Sequence, residues 1–199
     1  YLTFDCGYEN GNTEPILDAL KKHNAKATFF VVGHFLESAP DIVKRMEAEG
    51  HAVGNHTYHH PDMSSISDMT SFQKEMDDVA SLYQTVTGKE MIKYYRPPQG
   101  KYSTENLKMA KELGYQTYFW SLAYVDWNVC AEDAVGGKPS AGTIYRNVVR
   151  ETGEQTQCIV LMHDSATTRT TAEALPDIIQ WYRDQGFTFC RVEQVLPAP

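Results

Sequence analysis

Cysteine is scarce: Cys6, Cys130, Cys158 and Cys190 are the only four in 199 residues. A disulfide scaffold is therefore excluded, and room is left for one bridge, with Cys158 and Cys190 as the pair if their strands are neighbours. No run of about 18 apolar residues occurs, so no segment reads as a membrane-spanning helix, and no signal peptide is present. Basic residues are outnumbered, 18 against 26 acidic, for a net charge of −8. With no Lys/Arg-rich run to follow a phosphate backbone, nucleic acid is excluded as a partner. The chain also lacks a G-x-G-x-x-G fingerprint and a Walker loop, which removes dinucleotide and P-loop chemistry.

What is present is a core. Hydrophobic residues make up 42% of the chain and aromatic residues 12%, which excludes disorder and describes one soluble domain over residues 1–199. Apolar runs of strand length alternate with segments of helical period. Strands are predicted at 1–5, 26–32, 52–54, 94–96, 116–122, 159–162 and 187–190. Helices are predicted at 14–22, 39–49, 70–86, 103–113, 141–150 and 171–185, several of them stopped by glycine. The one long loop is 130–140. About seven βα-type units without a composition break favour an α/β fold, a distorted (β/α) barrel of about seven parallel strands.

The polar residues able to do chemistry follow strands. Asp5 ends the first, His56 and His60 follow the third, Arg96 ends the fourth, Asp126 follows the fifth and His163 ends the sixth. In a parallel βα architecture the C-terminal strand ends converge on one face, where active sites are built. In His56-Thr57-Tyr58-His59-His60 the first and last imidazoles stand four apart. On a helical turn that spacing puts both on one face, able to bind one metal. His51 and His59 read as structural.

Together these segments resemble the polysaccharide deacetylases of carbohydrate esterase family four, the NodB-type homology domain. Thr3-Phe4-Asp5-Cys6-Gly7 is similar to the family's T-F-D-D-G, His56 to His60 fits H-[S/T]-x-x-H, and Arg96-Pro97-Pro98-Gln99-Gly100 is the third motif. Asp126-Trp127 fits the fourth and Leu161-Met162-His163 the fifth. The resemblance implies a metal-dependent enzyme that removes N-acetyl groups from an amino-sugar polymer. On that reading His56 and His60 hold a divalent ion, Zn2+ or else Co2+, that lowers the pKa of its water towards about 7. Asp5 takes the water's proton, Arg96 orients Asp5, and His163, supported by Asp126, protonates the departing amine. Pro98, Gln99 and Gly100 meet the substrate, with the Gln99 backbone N–H as an oxyanion donor, while Trp127 and Leu161 wall a slot for the acetyl methyl.

One position departs from the pattern. Where the family carries its second motif-one aspartate, usually the third metal ligand, this chain has Cys6. Two readings stand open: a thiolate that joins the two histidines, giving a softer and more zinc-selective site, or a neutral thiol beside an ion held by two histidines and waters. The run Asp5-Cys6-Gly7-Tyr8-Glu9-Asn10-Gly11 resembles the muramic acid deacetylase branch and makes peptidoglycan the first substrate. Chitooligosaccharide or acetylxylan is the alternative, and a carbohydrate-binding pseudoenzyme the alternative of another class. A wall substrate implies an extracellular or cell-envelope address, with an export signal or anchor expected upstream of this sequence.

Overall fold

The computed structural model describes residues 1–123, 134–135, 138–164 and 169–194. Strands are β1 (Leu2–Cys6), β2 (Ala27–Val31), β3 (Ala52–Asn55), β4 (Tyr94–Tyr95), β5 (Gln116–Thr117), β6 (Leu122–Ala123), β7 (Ala134–Val135), β8 (Lys138–Pro139) and β9 (Val160–His163). Helices are α1 (Thr13–Lys22), α2 (Gly33–Ser38), α3 (Pro40–Ala48), α4 (Met69–Thr87), α5 (Thr104–Glu112), α6 (Ala141–Thr152) and α7 (Thr170–Asp184). Seven strands form one sheet in the order β5-β4-β3-β2-β1-β9-β6. The β1–β9, β3–β4, β4–β5 and β6–β9 pairs run parallel, as the βα alternation predicts.

Local chemistry places the helix ends. The Asp68 carboxylate accepts the Ser71 N–H at 2.7 Å and starts α4, and Gly88, at φ +73°, stops it. Ser103 and Ser140 cap α5 and α6 in the same way, and Pro40 opens α3, where its missing N–H costs nothing.

Four details differ from the sequence reading. The strand predicted over 116–122 is two short strands at opposite ends of the sheet order. The loop 130–140 contains the antiparallel β7–β8 pair. Helix α2 has only six residues, too few for a periodic signal. Residues 187–190 join no strand ladder; Phe187 and Phe189 instead set their rings 5.1 and 6.2 Å from that of Tyr182, so their alternation reflects packing on α7.

The chain divides into two compact units. One comprises Tyr1–Asp5, Glu9–Thr28 and Trp120–Pro199; its core holds Phe4, Ile16, Leu20, Leu175 and Ile178, all fully buried. The other comprises Cys6–Tyr8 and Phe29–Phe119, with a cluster of Met63, Phe72, Met76, Tyr95, Ala110 and Tyr115. Among the described residues no helix is long and apolar enough to cross a membrane. Cys158 and Cys190 are not bridged to each other; Cys130 lies outside the described residues.

Candidate active site

In the first unit the ladder between β1 and β9 runs Leu2 with Val160, Thr3 with Leu161, Phe4 with Met162 and Asp5 with His163. Residues opposite each other in a parallel pair project to the same face, so the carboxylate and the imidazole stand side by side at the C-terminal ends of neighbouring strands. Asp5 is 8% exposed and His163 half-buried. Leu161, two residues before His163, is buried on the same face. The Thr13 hydroxyl, at the start of α1, hydrogen-bonds the buried Asp164 carboxylate at 2.9 Å and also the Glu9 carboxylate. That link ties the loop after β1 to the end of β9, next to His163.

In the second unit His56 and His60 bring their rings together, with centroids 4.9 Å apart and planes at 69°. The means is not the helical turn their spacing suggests. Thr57 and His60 both adopt left-handed backbone, φ +69° and +56°, and the Thr57 hydroxyl accepts the His60 N–H at 3.1 Å. His56 Nδ1 lies 2.8 Å from the Arg96 carbonyl oxygen. Because a carbonyl only accepts, Nδ1 carries the proton, and in the neutral ring this leaves the Nε2 lone pair as the one able to ligate metal.

Arg96 is fully buried. Its Nε and Nη2 donate to the carbonyls of Tyr118 and Phe119 at 3.3 and 3.1 Å, and its guanidinium lies 4.3 Å from the Phe30 ring centroid. After it, the buried Pro98, the exposed Gln99 and Gly100 form a tight turn in which Gln99 holds φ +57°. The Gly100 and Lys101 amides close that turn on the Pro97 and Pro98 carbonyls. Asp126 and Trp127 lie outside the described residues.

The donor chemistry of His56 and His60 suits a divalent ion at two positions. Among the described residues no three His, Cys, Asp or Glu side chains gather into a ligand set; Cys6 is buried at the end of β1.

Two supporting residues escaped the sequence reading. Asn55 and Glu75 hold the His56–His60 loop through hydrogen bonds to Thr57, Tyr58 and His59. In the sequence Glu75 is one more polar position on an amphipathic helix, and nothing near it signals the role.

Comparison with known proteins places the chain. The sequence model of the family described as "Polysaccharide deacetylase" matches residues 1–118, which include Asp5, both histidines and the Arg96 turn. The chain belongs to the polysaccharide deacetylase family. It is 43% identical over 196 residues to the peptidoglycan-N-acetylmuramic acid deacetylase PdaA of Bacillus subtilis, covering 98% of this chain and 70% of that one. The solved structure of PdaA, described as a family 4 carbohydrate esterase, superposes with a TM-score of 0.87 at 42% identity over 97% of this chain and 78% of the other. A peptidoglycan-N-acetylglucosamine deacetylase of Bacillus cereus is 34% identical over 190 residues, 94% of this chain and 64% of its own length. A solved family 4 pseudoenzyme from Bacillus anthracis is also similar, with a TM-score of 0.84 at 26% identity over 98% of this chain and 64% of that one.

Proposed function

We propose that this chain hydrolyses N-acetyl groups from the amino sugars of peptidoglycan, acting at the cell envelope. The observation that carries the reading is the register pairing of Asp5 with His163, an acceptor and a donor of protons on one face. The 43% identity to a named peptidoglycan deacetylase supplies the substrate class. Asp5 takes a proton from water as the water oxygen bonds to the acetyl carbon. His163 then gives a proton to the sugar nitrogen as the C–N bond breaks, releasing acetate and a free amine. Asp126 is assigned the support of His163, and the Glu9–Thr13–Asp164 link steadies the strand end that carries it.

Arg96 is assigned the role of a fixed cation, held by two carbonyls and by Phe30. The Gln99 N–H is assigned to the developing oxyanion, Pro98 and Gly100 to its setting, and Leu161 and Trp127 to the acetyl methyl. His56 and His60 are the residues that would hold a divalent ion, Zn2+ or Co2+, which when bound supplies Lewis-acid polarisation. Cys6, buried at the end of β1, is the third candidate ligand, as a thiolate beside the two histidines or as a neutral thiol next to them.

A second reading, glycan binding without turnover, draws on that two-histidine donor set together with the similarity to a family 4 pseudoenzyme. Acetate release from N-acetylated peptidoglycan fragments and from chitooligosaccharides decides between them, run with chelator and then with zinc or cobalt restored. Release from peptidoglycan is expected. Asp5→Asn and His163→Ala should each lower it by about 10² to 10⁴, with His163→Ala still binding the ion. No release from either glycan under any metal would leave the binding reading.

A further inference from the structure

Left-handed backbone is unfavourable for a residue with a Cβ and most of all for a β-branched one, so it persists only where the surroundings over-determine it. The loop from Asn55 to His60 contains two such residues, Thr57 and His60. Much of its restraint comes from two consecutive residues of α4. Glu75 Oε2 accepts the N–H of Tyr58 at 3.0 Å and of His59 at 2.9 Å, while Glu75 Oε1 meets His59 Nδ1 at 2.7 Å. The Met76 carbonyl accepts the Asn55 side-chain amide at 2.9 Å, and Asn55 Oδ1 accepts the Thr57 N–H at 2.9 Å.

We propose that Glu75 is a positioning residue that sets the orientation of the His56–His60 pair by holding the backbone between the two rings. The proposal rests on the reading of those histidines as the ion-holding pair. Two N–H groups converging on one oxygen suit an anion, and each bond is strengthened by the acceptor's charge. Glu75 is only 15% exposed on its side chain, so water does not readily replace it, whereas His59 is 66% exposed and its ring meets the same carboxylate. The contact with the His59 ring is therefore secondary to the two backbone bonds, which lie on either side of the Tyr58 Cα.

The full chain is compared with Glu75→Ala, Glu75→Gln and His59→Ala. Three readouts are taken: amide hydrogen exchange at Tyr58 and His59, ring resonances of His56 and His60, and Co2+ affinity by titration calorimetry. Glu75→Ala is expected to lose protection at both amides, shift both ring resonances and weaken Co2+ binding about 10- to 100-fold, the usual effect of removing a group that supports a metal ligand. Glu75→Gln, whose carbonyl oxygen still accepts both amides, should stay within about threefold of wild type, as should His59→Ala, which removes the ring's contacts with Glu75 and with the Tyr58 ring and keeps both backbone bonds.

If His59→Ala matches Glu75→Ala, the contacts of the His59 ring and not the backbone hold are what matter, and the proposal is overturned. It is overturned equally if Glu75→Ala keeps its ring resonances. Should Glu75→Ala fail to fold, Glu75→Asp, one methylene too short to reach both amides, is expected to show the same loss, and wild-type behaviour there refutes the idea. A wild-type chain that binds no Co2+ would sink the ion-holding reading while the exchange and resonance data still judge Glu75.

Discussion

Replacing Arg96 by lysine keeps the positive charge and removes the fork that satisfies two carbonyls at once. The guanidinium donates to Tyr118 O at 3.3 Å and to Phe119 O at 3.1 Å from a fully buried position, and lies against Phe30. An ammonium group reaches one of these carbonyls, leaving the other without its charged donor, a loss of about 1.5–3 kcal/mol. Weaker contact with the Phe30 ring adds about 0.5–1 kcal/mol. The buried charge is not removed, so no relief of desolvation offsets these terms.

The expected destabilisation is about 3 kcal/mol, which for a domain of this size lowers Tm by roughly 6–12 °C. Thermal unfolding followed by circular dichroism reads it, and urea unfolding should show a lower midpoint with an unchanged slope. A fall of less than 2 °C would refute the argument that the fork holds the segment after β5. If acetate release fell without a change in Tm, Arg96 would act on the chemistry alone.

The remaining predictions concern packing and pH. A Cβ at Gly33 would stand 2.6–2.7 Å from three ring atoms of Tyr58, in the turn between the two histidines; Gly33→Ala is expected to cost about 1–3 kcal/mol and to reduce acetate release, and an unchanged melting curve would contradict it. The buried Tyr95 hydroxyl has no hydrogen-bond partner among the described residues, so Tyr95→Phe should gain about 1 kcal/mol, or roughly 2–4 °C, with any loss of that size counting against the reading. Burial pushes the phenols of Tyr83, Tyr95, Tyr115 and Tyr182 above their ordinary value near 10. Folded pKa values above the unfolded ones mean stability fully present below about pH 10 and lost as pH rises beyond it, by up to about 1.4 kcal/mol per pH unit for each phenol. Urea midpoints between pH 7 and pH 11 check this: a flat profile refutes it, and Tyr95→Phe should lessen the slope.

Much of the molecule follows from local signals. Side-chain periodicity within a few residues separates a strand from a helix, and Asp68, Ser103 and Gly88 mark helix ends because their own groups satisfy or release nearby backbone. The placement of Asp5, His56, Arg96 and His163 at or just beyond strand ends was legible for the same reason. Other features depend on partners distant in sequence. Residues 187–190 alternate like a strand, yet no ladder receives them, and 116–122 reads as one strand although Gln116–Thr117 pairs with β4 and Leu122 with β9. The spacing of His56 and His60 is compatible with a helical turn, but Asn55 and Glu75 hold a loop with left-handed backbone at Thr57 and His60.

The amino-acid order by itself determined the βα alternation, the family motifs and the residue types at the strand ends, because each depends on neighbours within a turn or a pleat. Tertiary structure alone decided that Asp5 pairs in register with His163 and that Glu75 grips the histidine loop. Those outcomes depend on hydrogen bonds and packing between segments far apart along the chain, whose geometry no local pattern encodes.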